Sequence, residues 1–237
     1  MRYFNTLVKV LARLHFAFML AFTITTCSSL FSQEAGSGSF DAGADLYSSF
    51  IWRGTKNGSG PAVQPVIEYT RGCFTAGAWG SFDLRGYEEV DLYATWMFPG
   101  GFSIGIIDYY SPDLRYFDYS RESGSHAFEI NLGFSSDKLS LEADYVLNEA
   151  AGIGSSGGDL YFQAGYSFSL FSLFLGAGNG WLTWDQETDE SKFSICNLGL
   201  EISKVIVITD AFEIPVTGQL ILNPDRECLF LVVGFTF

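Results

Sequence analysis

From Phe40 to the last residue, apolar and polar side chains alternate with a period of two, and this pattern constrains the fold more than any other feature. In Val90-Asp91-Leu92-Tyr93-Ala94-Thr95-Trp96-Met97-Phe98 the even positions are Val, Leu, Ala, Trp and Phe. Residues 128–134, 139–147 and 160–166 repeat the scheme, with Asp, Glu, Asn, Gln, Ser or Gly on the alternate face. Successive side chains of a β-strand point to opposite faces, whereas a helix repeats every 3.6 residues. The spacing predicts strands that are oily on one side and polar on the other. About twelve such segments fit, most of them close to the roughly 9–11 residues of a membrane-spanning strand. They lie near 40–53, 63–71, 73–84, 88–98, 102–110, 125–134, 139–147, 159–168, 170–179, 192–203, 212–222 and 227–237.

The connections fall into two sets. Arg71-Gly72, Pro99-Gly100-Gly101, Ser135-Ser136-Asp137-Lys138 and the turn near Ser169 are tight. Residues 54–61, 111–124, 148–158 and 180–191 are longer and polar. Short periplasmic turns alternating with longer external loops are a habit of outer-membrane barrels. Arg85-Gly86-Tyr87 is short for the outer set, and 204–211 is long for the inner one.

A soluble β-sandwich alternates too, but its bulkiest side chains sit mid-strand in the core. Here Trp52, Trp96, Phe98, Phe102, Phe134, Tyr166 and Phe168 fall near strand ends on the apolar face, as a girdle at two lipid–water interfaces requires. Lipid offers the backbone no hydrogen bonds, so an open sheet would strand two edges and the sheet must close. The expected fold is all-β: one antiparallel transmembrane barrel over residues 34–237. No apolar run beyond the extreme N-terminus reaches the roughly 20 residues of a spanning helix.

Residues 1–33 read as a cleaved signal peptide. Arg2, Lys9 and Arg13 precede an apolar stretch over 15–24, small residues follow, and the first acid is Glu34. A competing reading takes Ile24-Thr25-Thr26-Cys27 as a lipobox with Cys27 lipidated. The whole chain carries 13 basic and 27 acidic residues. Loss of the three basic residues of the leader leaves ten against 27, a formal charge of −17. Such a balance excludes electrostatic nucleic-acid binding, which needs a basic face. An aromatic content of 17% likewise excludes a disordered chain.

Phe50-Ile51-Trp52-Arg53-Gly54-Thr55, then Gly60-Pro61-Ala62-Val63-Gln64-Pro65, Ala76-Gly77-Ala78-Trp79-Gly80-Ser81 and Glu89-Val90-Asp91-Leu92-Tyr93 resemble the TorF-like (Gcw-chp) family of outer-membrane porins. The likeness is strong over the first third and rests on strand pattern alone beyond it. It implies a Gram-negative outer-membrane barrel with pore activity and supplies no catalytic motif. The closing Gly234-Phe235-Thr236-Phe237 looks like the terminal pattern that the barrel-assembly machinery reads, with Gly234, Phe235 and Phe237 as its key residues.

If apolar positions face lipid, the alternate ones face the lumen. Arg53, Glu68, Asp83, Glu89, Asp91, Glu129, Glu142, Asp144 and Glu201 are the charged candidates, with Asp45, Gln64, Tyr93, Asn131, Tyr161, Gln163 and Asn197 beside them. Carboxylate rings favour cations, so the expectation is a narrow, cation-leaning path for small polar solutes. The bland alternative is that these acids only solvate the interior. For Arg53 the choice is between a constriction and an ion pair with a neighbouring carboxylate. Eight strands fill their interior and 16–18 leave a channel, so twelve leave the width of the lumen open. Asp108 stands on the apolar parity of its strand, which predicts a bulge or a place above the bilayer.

An enzyme is not expected. A lipid hydrolase needs a serine activated by an oriented histidine, and the mature chain has only His126, with Phe128 where a same-face serine would stand. Neither a metal nor another cofactor is expected: Cys73, Cys196 and Cys228 lack zinc-like spacing. Asp185, Glu187, Asp189 and Glu190 form an acidic loop, either simply solvated or bridging lipopolysaccharide through a divalent ion. The expected partners are outer-membrane lipid, lipopolysaccharide, the assembly machinery and small solutes. The alternative role is a non-transporting surface barrel, an adhesin or anchor.

Overall fold

Strands that turn an oily face outward must satisfy their backbones on one another, and in the computed structural model the sheet has closed on itself. The structure describes residues 38–237 except 186, 187, 189, 210 and 211. The signal-peptide and Cys27 readings therefore lie outside the described residues, as do Glu187 and Asp189 of the acidic loop.

Twelve antiparallel strands follow one another round the barrel. They are β1 (Ser39–Tyr47), β2 (Ala62–Arg71), β3 (Phe74–Asp83), β4 (Glu88–Met97), β5 (Phe102–Tyr110) and β6 (His126–Ser135). The second half comprises β7 (Leu139–Val146), β8 (Leu160–Ser167), β9 (Ser172–Gly178), β10 (Ser194–Thr209), β11 (Phe212–Asn223) and β12 (Cys228–Thr236). The all-β barrel expected from the alternation is thus the observed fold.

Two boundaries differ from expectation. The segment 40–53 is not one strand: β1 stops at Tyr47, and Phe50–Trp52 pairs with Thr55–Asn57 in a hairpin of its own. Its tip residues Arg53 (φ 49°) and Gly54 (φ 80°) both have positive φ, the geometry of a two-residue type I′ turn. At the other end of the barrel, residues 204–209 of the expected inner loop 204–211 are strand. β10 runs on to Thr209 and pairs with β11 through Lys204↔Val216 and Ile206↔Ile214.

The wall is oily outside and polar inside. Ile106, Leu132, Leu175, Leu198, Leu220 and Val233 are exposed, whereas Asp91, Glu129, Asn131, Asp144, Gln163 and Asn197 are buried. Trp96, Phe98, Phe102, Tyr166 and Phe168 sit exposed near the short turns. Inside, large rings lie over glycines of the neighbouring strand. A Cβ on Gly176 would meet the Tyr161 hydroxyl at 2.1 Å, one on Gly199 the Phe174 ring at 1.9 Å, and one on Gly234 the Tyr47 ring at 2.2 Å. Glycine at these inward positions makes room for the ring, at the cost of a weaker strand.

Closure joins β1 to β12 through Asp45↔Thr236, Leu46↔Phe235 and Tyr47↔Gly234. The Ala44 and Phe237 backbones extend the seam, N–H to O=C in both directions at 3.2 and 3.0 Å. Gly234 and Phe235 therefore lie on the strand that closes the barrel and Phe237 directly follows it, with both phenylalanines exposed.

Candidate luminal site

The hairpin 50–57 leaves the wall between β1 and β2 and crosses the lumen. The guanidinium of Arg53 donates to Glu129 at 2.7 and 2.9 Å, to Asp144 at 2.5 Å and to Glu142 at 3.4 Å. Glu129 belongs to β6 and the two others to β7, which faces β1 across the ring of strands. Arg53 is an ion pair, as one reading held, but its partners stand on the far wall. Its guanidinium also lies 4.7 Å from the Trp52 ring and 4.4 Å from the Tyr161 ring, close enough for cation–π attraction. On the tip's other flank, Asn223 Nδ2 donates to the Gly54 carbonyl at 3.0 Å. A Cβ on Gly54 would lie 1.9 Å from the Cys196 carbonyl oxygen, so only glycine fits there.

Glu129, Asp144 and Tyr161, three of the groups around Arg53, are themselves held. Tyr109 Oη donates to Glu129 at 2.9 Å, and Asn131 Nδ2 donates to Glu129 at 2.6 Å and Asp144 at 2.8 Å. Asn197 Nδ2 donates to Tyr161 Oη at 2.9 Å and Gln163 Oε1 at 3.0 Å. Three carboxylates around one guanidinium leave an excess of negative charge. Such buried pairs depend on further hydrogen bonds to the charged groups, which Tyr109 and Asn131 supply to Glu129 and Asp144.

Trp52 corrects an expectation. It belongs not to the outer girdle but to the lumen, packed edge-on against Tyr109 and Trp181 at 5.6 Å each. Trp181 comes from the loop 179–193, whose short 3₁₀ turn Gly180–Leu182 folds inward. Its backbone N–H donates to Asp159 at 3.1 Å, and burial pushes the Asp159 carboxyl above its ordinary range. Hairpin and turn thus pack on one another through Trp52 and Trp181.

The remaining candidates are dispersed. Glu68 accepts from Tyr93 Oη at 2.7 Å and Glu201 from Gln219 Nε2 at 2.8 Å, both away from Arg53. Glu89 accepts from Tyr87 Oη at 2.7 Å, with Asp91 two residues along the same face. Asp83 is a rim residue rather than a lumen charge: it accepts backbone N–H bonds from Ser59 and Arg85 at 2.7 Å and from Tyr87 at 2.9 Å, which pins two loops together. Sequence reasoning missed Tyr109 and Trp181. The Arg53-Gly54 pair was the one available signal for the hairpin.

Asp108 sits in regular pairing opposite Phe128, with no bulge. On the outer wall it faces His126 Nδ1 at 2.9 Å, while His126 Nε2 contacts the Tyr116 carbonyl. Tyr110 and Tyr119 stack on the imidazole at 5.1 and 4.6 Å. Cys196 and Cys228 are free thiols.

A closed twelve-stranded sheet with an apolar exterior and a polar, bridged interior defines an outer-membrane-type β-barrel. The chain belongs to the Gcw_chp family, described as a bacterial protein of unknown function, whose model matches residues 32–214. No curated protein matches it significantly in sequence. Among solved structures, the Salmonella typhi outer membrane phospholipase (OMPLA) dimer with bound calcium is similar, at 14% identity and a TM-score of 0.36. The match covers 83% of this chain and 88% of that one.

Proposed function

We propose that the protein is an outer-membrane pore of a Gram-negative bacterium that passes small polar solutes, favours cations, and is gated by the hairpin 50–57. The observation that carries this reading is the Arg53 bridge to Glu129, Glu142 and Asp144 on the opposite wall. A plug fastened by charge can be released by whatever competes for those charges. The carboxylate excess on the wall supplies the cation preference. The apolar exterior suits contact with outer-membrane lipid and lipopolysaccharide, and export by the leader 1–33 would bring the chain to the assembly machinery.

In this reading the barrel catalyses nothing. The arrangement around His126 supports that view. Its nitrogens face Asp108 and the Tyr116 carbonyl, and the same-face position two residues on is Phe128, which carries no nucleophile.

Conductance of folded, heat-modifiable protein in a planar bilayer tests the proposal. Wild type is expected to open rarely and Arg53→Gln to show steady single-channel steps, with reversal potentials across a salt gradient on the cation side. Silence of both would overturn the pore in favour of a surface adhesin or anchor, and anion preference would overturn the selectivity.

A further inference from the structure

The lumen wall carries two groups of carboxylates, and they are compensated unequally. Glu129, Glu142 and Asp144 share Arg53. Glu89 and Asp91 share nothing of the kind: among the described residues, neither has an ion-pair partner. They project from one face of β4 about 7 Å apart along the strand. Asp91 is 6% exposed, and its Oδ1 is enclosed without any hydrogen-bond partner, although the Tyr110 backbone N–H reaches the carboxylate. Glu89 is only half-buried.

A third oxygen belongs to the same stretch of wall. Gln64 is 1% exposed, and its Oε1 is likewise enclosed with no donor. Its amide end donates to Ser81 Oγ at 3.2 Å, and Ser81 is the residue paired with Glu89. A buried oxygen without a donor costs free energy comparable to a lost hydrogen bond, and a buried carboxylate more. Gln64 and Glu89 stand on the strands either side of β3 and both flank Ser81, and among the described residues no basic side chain pairs with Glu89 or Asp91. All are hard oxygen donors, the set that calcium and magnesium select, with water completing the shell.

We propose that Glu89 and Asp91 bind a hard divalent cation on the lumen wall, with Gln64 as the neutral donor beside them. This deepens the cation-leaning pore and rests on that reading for its role as a station on the path. The site itself stands on the orphaned oxygens.

Terbium, a luminescent stand-in for calcium, tests it on the full-length folded protein in detergent. Trp79 is paired with Asp91 in the β3–β4 register and lies close enough to sensitise a bound lanthanide. Tryptophan excitation should give terbium emission that saturates and that calcium displaces. Asp91→Asn and Glu89→Gln should each weaken that binding at least about tenfold, the usual scale for disturbing a ligand shell. Glu190→Gln, in the acidic surface loop, should leave it unchanged. Loss of emission only in Glu190→Gln, equal emission in all variants, or no calcium-displaceable emission in wild type would each overturn the site. Should one luminal variant fail to fold, the other still decides. The outcomes are separable from the pore itself. Saturable binding in an anion-selective barrel sinks the selectivity and leaves the site, whereas a cation-selective barrel without it does the reverse.

Discussion

Arg53 and Asp144 meet at 2.5 Å although β1, which leads into the hairpin of the first, and β7, which carries the second, stand on opposite sides of the barrel. The contact makes the hairpin 50–57 a cross-brace rather than an external loop, and it sets what each change in this region does.

Removal of the Arg53 charge leaves Glu129 and Asp144, with side chains 1% and 0% exposed, facing each other uncompensated. Breaking a buried pair by deleting one partner costs about 3–5 kcal/mol. Arg53→Gln should therefore release the hairpin, seen as faster amide exchange over 50–57 while the wall strands stay protected. Arg53→Lys should recover little, because a point charge cannot reproduce the fork that engages three carboxylates.

Gly54→Ala should have a similar local effect for a different reason. The new methyl would meet the Cys196 carbonyl at 1.9 Å, at a φ of 80° that a side chain disfavours. The αL penalty alone is about 1–2 kcal/mol, and the clash adds to it. The same exchange measurement should show a loosened hairpin with Arg53 intact, and unchanged protection there would argue that the tip sits elsewhere.

Depth in the bilayer makes a third expectation. Ile106 is exposed mid-strand on β5, while Ile208 is exposed on the end of β10 that projects past β9. Arginine on the lipid face costs about 2–4 kcal/mol at the midplane and about 0–1 kcal/mol near the interfaces. Urea unfolding in lipid vesicles should show Ile106→Arg much less stable than wild type and Ile208→Arg close to it. Equal effects would contradict the assignment of the outer wall to lipid.

The loop 111–125 should respond to acid. Asp118 accepts the Ser120 N–H at 3.0 Å and the Ser120 and Ser123 hydroxyls at 2.6 and 2.7 Å, and these bonds hold its carboxyl below the ordinary range. Because the folded pKa is depressed, the contribution is complete above the unfolded value, about 4. It is lost as pH falls through the lower folded value. Amide protection at Ser120 should fall over that acid window in wild type and already be low at pH 7 in Asp118→Ala.

The wall was legible in the sequence because a period of two assigns a face to every residue at once. Ile106 or Glu129 needs only its parity to be placed once one side is known to be oily. The same period could not separate β1 from the hairpin after it. Phe50-Ile51-Trp52 alternates as well against a local partner as against a wall neighbour, and parity says nothing of which. Trp52 was misplaced outward for that reason.

By itself, then, the sequence determined the strands, their lipid-facing side and the closure of the sheet, since these follow from local alternation and the backbone's need for partners in lipid. Only the tertiary structure decided that Arg53 spans the lumen, that Trp181 packs on Trp52, and that Glu89 and Asp91 have no basic partner among the described residues. Those facts depend on which residues meet across a ring of twelve strands, and contacts between residues 76 or 91 positions apart leave no mark on the local pattern.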